Sequence, residues 1–370
     1  MESKFDVRIL AIIIILLGIG AYVILGQQPN PSPEVGDQNE PEIPEEHETE
    51  PEEPVTEPEE PEPETPPELA VQFTEVGRIK DIGSPHDVYV SGDYAYIADS
   101  FNEIRIIEVS DKANPEEINS FDPPGPRRGR GVYYSDPLLY VADGYGMLIL
   151  NVTNPVDPVE VSFHHTSGFA LKIYPQGEFA YVADREGGLL IINVSDPGNP
   201  WQAGRYFEAG SVHVLDVVVS GDYAYVAMGG LGLRIVDVSD PVDPHEVGFY
   251  DTEGTAESIQ VSGSIVYLAD GEDGLRVFDV SDPTTPHEVG FYNTSNGGYA
   301  QDVFLSGGYV YVGDGASRLL QVFDVSDPSS PDLVGEYETL GYVWGIYISD
   351  EYAFIANGEN GVLILHQNIS

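Results

Sequence analysis

YAYIAD, at Tyr94–Asp99, is a short apolar strand ending in a polar residue, and its pattern returns six more times. It stands as LLYVAD ending at Asp143, FAYVAD at Asp184, YAYVAM at Met228, IVYLAD at Asp270, YVYVGD at Asp314 and YAFIAN at Asn357. The successive end points are 44, 41, 44, 42, 44 and 43 residues apart. A fixed period in this range is the mark of a solenoid, a propeller or an array.

Each unit holds four strand-length apolar runs bounded by turn residues. In the fifth unit these are Ala256–Gly263, Ser264–Asp270, Gly274–Asp282 and His287–Thr294, here strands a to d. Gly-Asp or Gly-Ser pairs link a to b, and a Gly-rich turn such as DGEDGL (Asp270–Leu275) links b to c. Ser-Asp-Pro turns such as Ser239–Pro244 and Ser281–Pro286 link c to d. Proline presets the turn while Asp and Ser bond their own backbone. Strands b and c are nearly unbroken apolar runs, which implies cover on both faces, as in a sheet stacked between copies of itself. No sustained helical period follows Leu69, so the domain is all-β.

The chain ends choose between ring and solenoid. The last unit stops after its strand c, and an orphan strand d, Thr74–Ile79, precedes the first unit. A ring uses such a split, because the N-terminal strand completes the last blade. The expectation is a seven-bladed β-propeller over residues 69–370, monomeric and closed by one-plus-three pairing.

Two segments precede it. Residues 1–26 contain a 17-residue apolar run, Ile9–Leu25, behind Lys4 and Arg8. At 1.5 Å per residue this spans roughly 25 Å, near the lower limit for a bilayer. It reads as a signal anchor, with a cleaved signal peptide as the alternative; either exports the remainder of the chain. Residues 27–68 hold 12 prolines and 15 glutamates without Lys or Arg, the composition of an extended disordered stalk. The net charge of −48, of which −32 falls on residues 69–370, repels nucleic acid and anionic lipid and points to a saline setting or to cation binding. The absence of cysteine leaves the exported domain without disulfides.

The c-strand motif, LRIVDVSDP (Leu233–Pro241), LRVFDVSDP (Leu275–Pro283), LQVFDVSDP (Leu320–Pro328) and LLIINVSDP (Leu189–Pro197), resembles the LVIVD-repeat family of exported and surface propellers in archaea and bacteria. The resemblance covers residues 70–370 and implies architecture and location; it carries no reaction, cofactor or ligand with it.

The d–a loops differ in every unit whereas the Ser-Asp-Pro turns hardly vary, so the face carrying the d–a and b–c loops is the candidate site. Twelve residues before each register mark lie Asp87, Gly131, Lys172, Asp216, Ser258, Asp302 and Gly345. Asp87, Asp216 and Asp302 are candidate oxygen ligands for Ca²⁺ at the pore mouth. The b-strand aspartates Asp99, Asp143, Asp184, Asp270 and Asp314 either join that acidic mouth or cap their own turns. Arg127, Arg128 and Arg130 sit in one loop of an acidic domain and suit a carboxylate or phosphate partner, with pairing to nearby aspartates as the plainer alternative. His86 and Trp344 lie on the same loops, as do His164, His165 and His213, and the histidines lack metal-ligand spacing. Asn151, Asn193, Asn293 and Asn368 open glycosylation sequons. No nucleophile elbow, phosphate loop or His-Glu-x-x-His is present. The expected function is a membrane-tethered, non-catalytic module binding a surface protein or glycan. The alternative is an exported hydrolase or lyase working in the pore mouth.

Overall fold

The computed structural model describes residues 69–101, 103–123, 128–207, 213–294 and 297–369. Residues 1–68, with the apolar run and the acidic stretch, and Arg127 lie outside the described residues. Among those described, no helix is long and apolar enough to cross a membrane.

Strand β1 (Val71–Ile79) comes first and belongs to the last blade. Blade 1 is β2 (Pro85–Ser91), β3 (Tyr94–Asp99), β4 (Glu103–Glu108) and β5 (Glu116–Phe121); blade 2 is β6 (Gly131–Ser135), β7 (Leu138–Ala142), β8 (Gly146–Asn151) and β9 (Val159–His165). Blade 3 is β10 (Lys172–Gln176), β11 (Phe179–Ala183), β12 (Leu189–Asn193) and β13 (Trp201–Tyr206); blade 4 is β14 (Asp216–Ser220), β15 (Tyr223–Ala227), β16 (Leu233–Asp237) and β17 (His245–Tyr250). Blade 5 is β18 (Ser258–Ser262), β19 (Ile265–Ala269), β20 (Leu275–Asp279) and β21 (His287–Tyr292); blade 6 is β22 (Ala300–Ser306), β23 (Tyr309–Asp314), β24 (Leu319–Asp324) and β25 (Asp332–Glu338). Blade 7 is β26 (Gly345–Ser349), β27 (Tyr352–Ala356) and β28 (Val362–Ile369), completed by β1, which pairs antiparallel with β28 from Val71↔Ile369 to Ile79↔Val362. The expected one-plus-three closure is what the sheet contains.

Burial explains the unbroken apolar runs. The core forms seven clusters, each straddling two neighbouring blades: Tyr181 and Ile191 of blade 3 meet Val217 and Val226 of blade 4, for example. Ile97 and Ile107 of blade 1 meet Phe354 and Ile364 of blade 7, so the stack of sheets closes on itself.

A glycine column in the outer strands sets the blade spacing. A Cβ on Gly204 would stand 2.0 Å from the carbonyl oxygen of Pro241 in the next blade's Ser-Asp-Pro turn, and one on Gly248 would stand 2.1 Å from that of Pro283. At the closure, Gly77 of β1 meets the Lys112 carbonyl oxygen of blade 1 in the same way. Blades 1 and 2 carry Asn119 and Ser162 at this position, and their side chains donate to the Val156 and Pro197 carbonyls at 2.7 and 2.6 Å.

The Ser-Asp-Pro turns are built from paired side-chain caps. Asp237 accepts from the Ser239 N–H at 2.9 Å, and Asp240 from the Val242 N–H at 3.2 Å. Asn151 and Asn193 of two sequons do the same for Thr153 and Ser195. This face is accounted for by backbone geometry.

Candidate functional site at the channel mouth

Side chains alternate along a strand. The residue twelve before each register mark, and the one two further on, therefore face the central channel, while the residue between them packs between blades. Three layers result. Lowest is an aromatic girdle in which Tyr89 lies 5.0 Å from Tyr133 and 4.6 Å from Tyr347, ring centre to ring centre. Tyr174 and Phe304 extend it.

Above it lies a polar ring. Asp87, Asp216, Ser258 and Asp302 each accept the backbone N–H one position beyond the equivalent residue of the following blade. These donors are Val132 to Asp87 at 3.0 Å, Ile259 to Asp216 at 3.1 Å, Val303 to Ser258 at 3.4 Å and Ile346 to Asp302 at 2.7 Å. Where the preceding blade offers no acceptor, the aspartate also serves its own chain. Asp87 follows Gly345 and bonds the Val88 N–H, and Asp216 follows Lys172 and bonds the Val217 N–H. The ring is thus a set of blade-to-blade ties.

Lys172 supplies its cation. Its Nζ lies 3.2 Å from Asp87 and 4.0 Å from Asp302. Burial pulls the Lys172 ammonium down, but the Asp87, Asp302 and Asp216 carboxylates outweigh it and raise the group well above the ordinary lysine range. Burial pushes Asp216 up, and pushes Asp302 to about 6. Among the described residues no three His, Cys, Asp or Glu side chains are grouped to hold a metal ion. Where the sequence suggested Ca²⁺, these carboxylates gather around an ammonium group.

The b-strand aspartates do not line the mouth. Asp99, Asp143, Asp184 and Asp270 are completely buried and Asp314 nearly so, because they hold loops down. Asp99 accepts from the Gly83 and Ser84 N–H groups of the d–a loop, Asp184 from Gly168 N–H, and Asp314 from Tyr299 N–H. Turn capping by Asp99 through Phe101, by Asp143 through Tyr145 and by Asp314 through Ser317 accompanies this. The acidic-mouth reading of these five gives way to loop anchoring.

The top layer is the mouth, a cavity of about 710 Å³. One residue before each ring position points into it: His86, Arg130, Leu171, Leu215, Glu257, Gln301 and Trp344. Three of the residues singled out from sequence, His86, Arg130 and Trp344, therefore share one cavity. Asp87, Asp216 and Asp302 sit one layer below, and Arg128 is exposed outside it.

One wall is a connected set of contacts. His86 stacks on Trp344 at 4.6 Å, and Trp344 lies 4.4 Å from Tyr342. Tyr342 Oη donates to Gln301 at 2.7 Å, and Gln301 Nε2 donates to Glu257 at 3.2 Å, which also accepts from Tyr299 Oη. His86 Nδ1–H donates to the Ser84 carbonyl at 3.0 Å. Burial, aided by Arg130, lowers its pKa to about 4, so the imidazole is neutral.

Beside His86 the lining is cationic. The Arg130 guanidinium lies 5.4 Å above the Phe169 ring. Burial lowers its pKa, and the positive charges of Arg128 and Arg185 add to that. Arg185 had no sequence reading, yet its column gives it away: the residue after the register mark is Gly144, Gly229, Gly271 and Gly358 in other blades, each at positive φ, and Arg185 takes φ 43° in their place. A left-handed non-glycine residue costs roughly 1–2 kcal/mol. It is held by reciprocal backbone bonds with Val214 at 3.1 and 3.3 Å.

A family model described as the LVIVD repeat matches seven times, at residues 82–123, 129–166, 167–207, 211–252, 253–294, 297–339 and 340–366. No curated protein matches the chain. Among solved structures it is similar to the computationally designed Ika8 protein, with a TM-score of 0.59 and 8% identity over 79% of this chain and 99% of that one. It is also similar to the Myceliophteria thermophila Cps50 (Swd1) beta-propeller domain, with a TM-score of 0.66 and 12% identity over 80% of this chain and 99% of that one. U3-55K gives a TM-score of 0.66 and 13% identity over 81% of this chain and 99% of that one. At such identities the likeness is one of fold alone.

Proposed function

This chain belongs to the LVIVD repeat family, and on that footing we propose that its propeller is a binding module carried outside the cell membrane. In this reading residues 1–26 anchor the chain, residues 27–68 lift the propeller away from the lipid, and a surface protein or glycan is taken at the channel mouth. The observation that carries it is the mouth cavity on the variable-loop face, of small-molecule-site size and lined by charged and aromatic groups. The Ser-Asp-Pro face offers turns already satisfied by their own side chains. Strong overall acidity keeps nucleic acid away.

The enzymatic reading has one supporting observation, the gathering of His86, Lys172, Arg130 and Glu257 around one cavity. A general base works best with a pKa near the working pH. His86, lowered to about 4, is too weak a base for that, so binding is favoured.

Two substitutions test the binding face. Gly230 lines the mouth and a Cβ there would meet nothing within 4 Å, so Gly230→Trp fills the cavity without backbone strain. Val242, 63% exposed on a Ser-Asp-Pro turn, gives the opposite-face control Val242→Trp. Capture of surface proteins and glycans by the full chain is expected to fail for Gly230→Trp and survive in Val242→Trp; the reverse overturns the proposal. Location is tested by protease treatment of intact cells. Digestion of membrane-bound propeller supports the tether, a shortened chain in the medium points to the cleaved signal peptide, and intact protein in the cytosol refutes export.

A further inference from the structure

Among the described residues, two buried side-chain nitrogens have no hydrogen-bond partner, Arg130 Nε and Arg185 Nε. Both arginines line the mouth cavity. A buried donor without an acceptor is costly, and native proteins rarely leave one. Acid is not scarce, since the chain has 63 Asp and Glu against 15 Lys and Arg. Four other arginines find it: Arg78 pairs with Glu75, Arg105 with Asp99 and Glu117, Arg234 with Glu246 and Asp251, and Arg276 with Asp273 and Glu288. No ion pair among the described residues involves Arg130 or Arg185.

The Arg130 guanidinium and the Arg185 backbone are also held in place. Arg130 lies over Phe169, and Arg185 sits at a left-handed φ of 43° clamped by two backbone bonds to Val214. Placing two like charges close together, one of them Arg185 in a column that carries glycine in five other blades, disfavours the empty site. An anion between them would relieve that repulsion and accept from the two guanidinium groups. The cavity is larger than a lone ion needs, and its lining also offers the neutral His86 ring, Trp344 and Tyr342.

We propose that Arg130 and Arg185 anchor the oxyanion, a carboxylate or a phosphate ester, of a small organic ligand or glycan unit whose body fills the mouth. This rests on the mouth being the binding face and adds the chemical class of what it takes. Arginine suits both groups because its planar fork meets two oxygens at once.

The test is calorimetric titration of the full chain with D-glucuronate, glucose 6-phosphate and inorganic phosphate, with uncharged glucose as control. Saturable binding of at least one oxyanion is expected, with none for glucose. Arg130→Gln and Arg185→Gln should each weaken it by about tenfold or more, whereas Arg276→Gln, away from the mouth, should not. Binding of glucuronate but not glucose 6-phosphate assigns the oxyanion to a carboxylate, and the reverse assigns it to a phosphate ester. No oxyanion binding at millimolar concentration, or binding unchanged in both glutamine variants, overturns the anchor. If the anchor falls while Gly230→Trp still abolishes partner capture, the binding face stands without it; if Gly230→Trp has no effect, the binding face itself falls.

Discussion

The Lys172 ammonium of blade 3 reaches past the intervening blade to stand 3.2 Å from the Asp87 carboxylate of blade 1. It is the one cation among the ring positions, and three carboxylates depend on it. Removing one member of a buried ion pair leaves the others uncompensated. Lys172→Met is expected to cost about 2–4 kcal/mol, at the lower end of what buried pairs lose because the channel is open to water. The same variant addresses calcium. In the parent protein Ca²⁺ should raise the melting temperature no more than NaCl at equal ionic strength, whereas in Lys172→Met the freed carboxylates should give Ca²⁺ an advantage. A specific Ca²⁺ effect in the parent would mean that the carboxylates bind the ion despite the lysine.

Acidity should act on stability through Asp302 and Asp270. Burial pushes both to about 6, while an unfolded aspartate titrates near 4. Between those values the folded chain holds protons that the unfolded chain has released. Stability therefore falls as pH rises from about 4 to about 6. Each group contributes on the order of 1–3 kcal/mol across that window. Burial, with the nearby Asp87 and Asp216 charges, favours the protonated form of Asp302, whereas Lys172 and the Ser258 hydroxyl oppose it. The Ser258 hydroxyl lies 3.0 Å from Asp216 and 2.8 Å from Asp302. Thermal melts across this range should show higher melting temperatures at the acid end, with a shallower slope in Asp302→Asn. An unchanged slope in that variant would assign the effect elsewhere.

Much of this architecture is legible in the chain itself. The register marks yield seven blades, the stranded strand d yields closure, and counting back twelve residues finds every ring position, since a propeller maps sequence period onto angle. What the period does not encode is how far a side chain at a ring position reaches across the channel. Lys172 stands in the column with Asp87 and Asp302, but the column does not reveal it as their partner. Arg185 is legible in principle, as a charged residue in a glycine column. The three loop arginines group by proximity in sequence, yet Arg128 is exposed outside the mouth while Arg130 lines it, a difference that spacing along the chain does not encode.

The outer-strand glycines allow a sharp contrast. Gly204→Ala puts a methyl 2.0 Å from the Pro241 carbonyl oxygen and must push a neighbouring turn aside. Overpacking of this kind costs about 1–3 kcal/mol. Gly221→Ala meets nothing within 4 Å but takes φ +61°, so it should cost only about 1 kcal/mol of backbone strain. Denaturant melts of the two variants should rank Gly204→Ala as the more damaging; the opposite order would show that blade spacing yields easily.

Closure is the relationship on which the whole ring depends. β1 covers β28 from Val71 to Ile79, its Val71 also pairs with Gly335 of blade 6, and its Gly77 packs against Lys112 of blade 1. Deleting residues 69–80 removes all three contacts and leaves β28 as a bare edge of mostly buried residues, VLILHQNI. Such an edge invites pairing with another chain, and the apolar cluster that joins blade 7 to blade 1 loses Ile79 and Val76. The truncated protein is expected to melt well below the parent and to form oligomers in light scattering at concentrations where the parent is monomeric. Supplying a peptide of residues 69–80 in excess should restore the monomer and part of the melting temperature, because the missing strand binds where it was removed. A truncated chain that stays monomeric and melts as the parent does would show that three strands suffice for blade 7 and that β1 is not the lock.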